Sequence, residues 1–429
     1  MFFLQGNKLP YNFSFKGVIG KSAFNRSFLE SSDNFTTCFQ LKNEINSSLK
    51  LSYNYLGSSA DLDSISSEKR DYYIHTFEVF KKWNYLNIHL ESGIGNFTSP
   101  DNNLGNGEAL ILDVKTEKFS NFSLDFQAYR ISPQFVNVTG NFLNTTVLEV
   151  FPNIEGVATT VRPPNKSPIV GLGFPVNNRQ GFSVNSDIDF GKLKINAGIG
   201  FFSEIDTSYS TISYRHNVNG QTLSRINLFA QNWGPYDFLN STYREVFEEV
   251  SISDTNSNGL ANFIKHYNTI EFQAKYSDFL WGHKFYLFYL TRFNSCHNKL
   301  YYTPQFNSRA LISQLSHEID FSLELNKNAV FVLSYGIERV IGNEFTDIGD
   351  ANNPNSTNLF LDLLGVNTSQ NMNFARNQRN TLFGFGIDYK ISENTMLFVR
   401  HNMYKYFDPN FIYNYLKGSE TMLELKVTF

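Results

Sequence analysis

Residues 182–201, FSVNSDIDFGKLKINAGIGF, alternate apolar and polar side chains through two arms joined at Gly191 and Lys192. In an extended chain Phe182, Val184, Ile188 and Phe190 fall on one side, and Leu193, Ile195, Ala197, Ile199 and Phe201 resume that side after the turn. Asn185, Asp187, Asp189, Lys194, Asn196 and Gly198 take the other side. A period of two fixes strands, and a two-residue turn with glycine joins them into a hairpin. EIDFSLELNKNAVFVLSYGIE, turning at 326–328, and FGFGIDYKISENTMLFV, turning at 392–394, repeat the scheme. In all, about eighteen such runs can be read, from 11–19 to 420–429, including 209–217 and 221–231.

The connections between runs alternate in length. Those after even-numbered runs are short, about two to six residues, and those after odd-numbered runs are mostly long. Three of the long ones, around 131–181, 232–266 and 341–379, exceed what a compact soluble domain usually carries. An even count places both termini on the short-turn side. Proline cannot donate to a strand ladder, and all 12 prolines fall outside the runs.

Composition agrees with a large sheet. The 43 Phe and 23 Tyr favour strands, and two cysteines, Cys38 and Cys296, supply no disulfide framework. A net charge of -4 gives no basic footprint for nucleic acid. Mean hydropathy is -0.30, and no stretch nears the roughly 20 apolar residues of a membrane helix. A membrane barrel stays compatible with that mean, since only alternate residues face lipid. A soluble propeller or stacked sandwich would also have many short strands, but blade-length repeats are missing.

ETMLELKVTF places Leu423, Leu425, Val427 and Phe429 on one face. This ending, with the hairpin rhythm, resembles the C-terminal strand of Gram-negative outer-membrane β-barrels, a porin-like class. The resemblance implies a single-domain (1–429), closed, antiparallel transmembrane barrel of 16–18 strands, with short periplasmic turns and long extracellular loops. It implies integral placement in outer-membrane lipid, and those four residues as the signal read by the barrel-assembly machinery. MFFLQGNKLP is too short for a secretory signal, so a targeting peptide is expected to lie outside the sequence as it stands. Trp83, Trp281, Tyr404, Tyr406 and Phe407 would supply interfacial aromatics.

With the apolar stripe against lipid, the lumen would receive Asp113, Asp125, Asp187, Asp189, Lys194, Glu271, Lys275, Asp320, Glu324, Asp388 and Lys390, with Glu424 and Lys426. These would tune selectivity or act as hydrated polar filling. Leu359, Phe360, Leu361, Leu363 and Leu364 form an apolar patch in the last long loop, expected to plug the lumen or meet a protein partner. Thr242 and Glu245 have capping-box spacing ahead of a helix over YREVFEEV. Asp254, Asn256, Asn258 and Gly259 open like a calcium loop, but Lys265 stands where a bidentate Glu is needed. The histidines, His283, His297, His317 and His401 among them, form no metal or hydrolase motif and read as isolated polar residues. The expectation is a non-enzymatic channel for small hydrophilic solutes, needing no cofactor or metal. The alternative is a non-conducting barrel in a larger complex for secretion, surface-polymer export or lipoprotein docking.

Overall fold

A computed structural model describes residues 1–21, 34–61, 69–99, 103–136, 150–152, 158–160, 167–169, 171–207, 211–218, 244–254, 259–260, 262–300, 310–342, 376–408 and 415–427. The chain divides into two compact units, and strands β11 and β12 contribute to both. Among the described residues, seventeen strands are assigned to one sheet.

The first unit comprises Met1–Pro168, Gly173–Val184 and Phe202–Tyr209. Its meander runs β1 (Phe2–Leu9), β2 (Phe13–Gly20), β3 (Asn34–Asn46), β4 (Leu49–Asp61), β5 (Lys69–Lys82), β6 (Leu86–Thr98), β7 (Asn103–Thr116) and β8 (Phe122–Ile131). Each pairs antiparallel with its sequence neighbours. A small ribbon joins β9 (Val150–Pro152) to β10 (Ala158–Thr160), so Pro152 ends a strand. β11 (Arg179–Asp189) pairs with β8 and leads into β12 (Leu193–Ser203) through the expected turn, where Gly191 has φ +78.

In the second unit, β13 (Thr211–Val218) pairs with β14 (Arg244–Ser251), and β15 (Ser253–Asp254) with β16 (Gly259–Leu260). There follows a second meander of β17 (His266–Leu280), β18 (His283–His297), β19 (Ile312–Asn326), β20 (Ala329–Gly342), β21 (Arg376–Ser392), β22 (Thr395–Phe407) and β23 (Tyr415–Val427). Consecutive strands here are all antiparallel partners.

Burial in this meander inverts the rule of a water-soluble sheet. Along β21, Phe383, Phe385, Ile387, Tyr389 and Ile391 are exposed, Ile387 at 45%, while Asp388 between them is 1% exposed. On β19, Ile319 is exposed while Glu318, Asp320 and Ser322 are buried. The alternation is the one written in the sequence, with the apolar face turned outward. In the first unit Phe77, Leu90, Ile94 and Leu110 are likewise exposed.

Several expectations need correction. Residues 2–9 form a strand: FFL breaks the alternation, but pairing with β2 across a turn at Pro10–Asn12 supplies the backbone bonds. Met1 therefore lies at the long-connection end of its unit, not the short-turn end. The run at 209–217 overlaps β13 but pairs with β14, apart from the large sheet, and 221–231 lies outside the described residues. The helix over YREVFEEV is replaced by β14, because a neighbouring strand offers a full ladder from Thr211–Ser251 to Val218–Arg244 and Val246, Phe247 and Val250 suit a strand. Asp254 and Gly259 pair across β15 and β16 instead of opening a calcium loop. Tyr404 is no girdle residue: it is buried on the polar face, its hydroxyl lying over Gly418.

Candidate functional site

The polar face of each unit carries a hydrogen-bonded network running across the strands. Because directly opposed residues share a face, the register places successive polar side chains side by side. In the first unit Gln40 Nε2 donates to Asn54 Oδ1 at 2.8 Å, and Asn54 Nδ2 donates to Thr76 Oγ1 at 3.0 Å and to Glu78. His89 lies between Glu78 Oε2 at 3.6 Å and Asp113 Oδ2 at 3.4 Å, and Gln127 Nε2 closes the row on Asp113 Oδ1 at 2.9 Å. Six strands, β3 to β8, are thus linked.

The start of the long connection after β8 turns back over this face. Ser132 exchanges hydrogen bonds with Glu108, and Tyr72 donates to the Val136 carbonyl. Val136 packs with Tyr72 and Phe97. Phe135 lies over two glycines: a Cβ on Gly95 would come 3.2 Å from its ring, and one on Gly107 would meet its backbone. Glycine at both positions makes the close approach possible. This part of 131–181 covers polar face; 137–149, 153–157, 161–166 and 170 lie outside the described residues, as does the patch Leu359, Phe360, Leu361, Leu363 and Leu364.

In the second unit Arg292 Nε donates to Glu271 Oε2 at 2.8 Å. Glu338 accepts from Gln314 Nε2 and Asn380 Nδ2, both at 2.7 Å. Farther along, Arg400 pairs with Asp388, both buried. Arg400 Cδ and Nη1 occupy the space a side chain at Gly386 would fill, and Val332, Phe398, Val330 and Met396 pack together close by. A buried ion pair in apolar surroundings holds only while both partners are present.

No protein-family model and no curated protein matches the chain. Among solved structures, it is similar to a bacterial polysaccharide outer membrane secretin, at 8% identity over 92% of this chain and 91% of that one, TM-score 0.31. It is also similar to OmpT, an outer membrane protein of Vibrio cholerae, at 8% identity over 90% and 87%, TM-score 0.33. OprB of Pseudomonas putida gives 10% identity over 93% and 94%, TM-score 0.36. The neighbours are outer-membrane proteins, and this chain is nearly all antiparallel strand. TM-scores this low add nothing to the strand geometry, which has to stand by itself.

Most lumen candidates found partners. Asp113 joins His89 and Gln127; Asp125 takes Lys115 at 3.0 Å; Asp187 accepts from Asn196 at 2.6 Å; Asp189 lies 3.9 Å from Lys194. Lys275 lies over the Phe288 ring, Glu324 accepts from Tyr286, and Lys390 meets Glu393 at 3.0 Å. Asp320 and Asp388 depart from the expectation of freely hydrated charge: at 3% and 1% exposure, both are enclosed. Glu424 and Lys426 are exposed, as are Leu423, Leu425 and Val427 on the opposite face, while Phe429 lies outside the described residues. Among the described residues no three His, Cys, Asp or Glu converge as metal ligands.

Sequence reading missed Arg400, Arg292, Glu318, His89 and Glu78. Parity would have found them, since Glu318 shares a face with Asp320, and Arg400 with Asn402 and Phe398. It also misread His317 and His401, which stand on the apolar face bonded to Tyr289 Oη at 2.8 Å and Thr421 Oγ1 at 2.9 Å; His75 with Tyr53 repeats the device at 2.7 Å. A cross-strand hydroxyl satisfies a ring nitrogen away from water.

Proposed function

We propose that the chain closes into an integral outer-membrane β-barrel whose polar face lines a lumen passing small hydrophilic solutes. One observation carries the reading: hydrophobic side chains are exposed while charged groups between them are buried, as with Asp388 on β21 and Arg400 on β22. Such a surface is stable against acyl chains and not against water. In that setting the three long loops face the cell exterior, the apolar face meets outer-membrane lipid, and the assembly machinery reads Leu423, Leu425, Val427 and Phe429. Passive passage requires no cofactor and no catalytic residue. Purified protein in planar bilayers is expected to give stable conductance steps; silence in a folded, inserted protein would overturn conduction.

The covering of polar face by Ser132–Val136 favours a second reading, a plugged barrel serving as a scaffold whose long loops bind a protein partner. Silence in the bilayer together with a stoichiometric partner after gentle detergent extraction would support it.

A further inference from the structure

The apolar face of the second unit changes character toward its long connections. Across β20 to β23 the register sets side chains in rows. Tyr335, Phe383 and Met403 stand opposite one another in turn and are all exposed. The next row on the same parity holds Ile337, Thr381, Lys405 and Lys417, and the one after it begins Arg339, Arg379 and Phe407. Neither row contains Asp or Glu.

Lys405 is directly opposite Lys417, and like charges so placed, with Cβ atoms about 4.5–5.5 Å apart, destabilise a sheet. Both lysines are exposed, as is Arg379 in the next row, whereas Arg339 is buried and donates through Nη1 to the Val340 and Gln378 carbonyls at 3.2 and 2.9 Å. Among the described residues no carboxylate pairs with Lys405 or Lys417; Lys405 Nζ lies 5.1 Å from the centre of the Phe407 ring. A repelling pair is stabilised when an anion lies against both members. One row away this face meets acyl chains, on the reading given above that the apolar side faces lipid, and the inference rests on that reading. At a rise of about 3.4 Å per residue, Lys405 stands about 7 Å beyond Met403 along β22. That is the step from hydrocarbon into the headgroup layer, roughly 5–7 Å deep on each side. Lysine stems lie along apolar surface and carry the ammonium into such a layer.

We propose that Lys405, Lys417 and Arg379 form a basic belt that binds the phosphate of anionic lipid headgroups in the leaflet on the long-connection side. The full chain is reconstituted in phosphatidylcholine vesicles carrying a trace of spin-labelled phosphatidylglycerol or spin-labelled phosphatidylcholine. The fraction of each label that the protein holds motionally restricted is then measured. Phosphatidylglycerol is expected to be preferred roughly threefold or more at low salt, and the preference should fall at high salt. R379Q/K405Q/K417Q should bring the ratio near one, while K16Q, opposite Gln40 on the polar face of the first unit, should leave it unchanged. Should the triple variant not fold, K417Q carries the test and should lower the ratio measurably. A preference that persists in a folded variant would overturn the belt. So would a preference abolished by inorganic phosphate at constant ionic strength, which would assign these cations to the free anion. Equal restriction of both lipids by wild type, as when the cations serve an acidic protein, would overturn the belt alone; no restricted lipid of either kind would overturn the membrane reading with it.

Discussion

At Gly386 an added methyl group would meet the Val399 carbonyl oxygen and approach Arg400 Cδ to 2.8 Å. G386A is therefore expected to cost about 1–3 kcal/mol, the ordinary range for overpacking. G17A, whose methyl would find its neighbours at 3.9 Å, should be close to neutral in the same urea titration in lipid vesicles. Equal costs at the two positions would refute the crowding described at Gly386. R400M strands the Asp388 carboxylate and should cost about 3–5 kcal/mol, whereas D388V/R400M, which removes both charges, should recover most of that loss. Lys192, in the turn between β11 and β12, donates to Asp278 Oδ1 at 2.7 Å, and that hydrogen bond raises its ammonium above the usual lysine value. A raised lysine stabilises below its unfolded value and loses the effect as pH climbs through the folded one. The midpoint difference between wild type and K192M should thus be constant from about pH 6 to 9 and shrink only beyond the normal lysine range near 10.4; a difference already gone at pH 8 would contradict the pairing.

Strands and hairpins were largely legible in the sequence because one physical rule wrote them: alternate side chains meet different solvents. The turns at Gly191–Lys192, Lys327–Asn328 and Glu393–Asn394 fell where expected. What escaped depended on neighbours. Residues 2–9 become a strand only through β2, and 244–251 only through β13, so local spacing gave no strand in the first and favoured a helix in the second. The polar-face partners were partly legible: residue type and parity identified Asp388 and Asp320, but which side chains cover them is set by register. That Arg400 reaches Asp388 follows from Gly386, whose missing side chain was visible while its use was not. The element-scale test is substitution by parity. I387R places a cation on the apolar face at a residue 45% exposed and should cost about 2–4 kcal/mol in vesicles if that face meets mid-membrane lipid. In a water-soluble sheet the same change at so exposed a position would be nearly free.

For the molecule as a whole, two meanders of one grammar turn apolar side chains outward, and the second also buries charge. Neither an excess of apolar residues nor a long apolar helix is required for this, only consistent parity through the strands. Conduction and plugging both presuppose that parity. Spin labels placed singly at positions 383–391 of the protein in vesicles read it directly through their accessibility to oxygen and to a water-soluble nickel complex. Oxygen accessibility should peak at 383, 385, 387, 389 and 391 and fall at 384, 386, 388 and 390. Nickel peaks at the odd positions, or no alternation at all, would show that water covers the apolar face and would contradict the account.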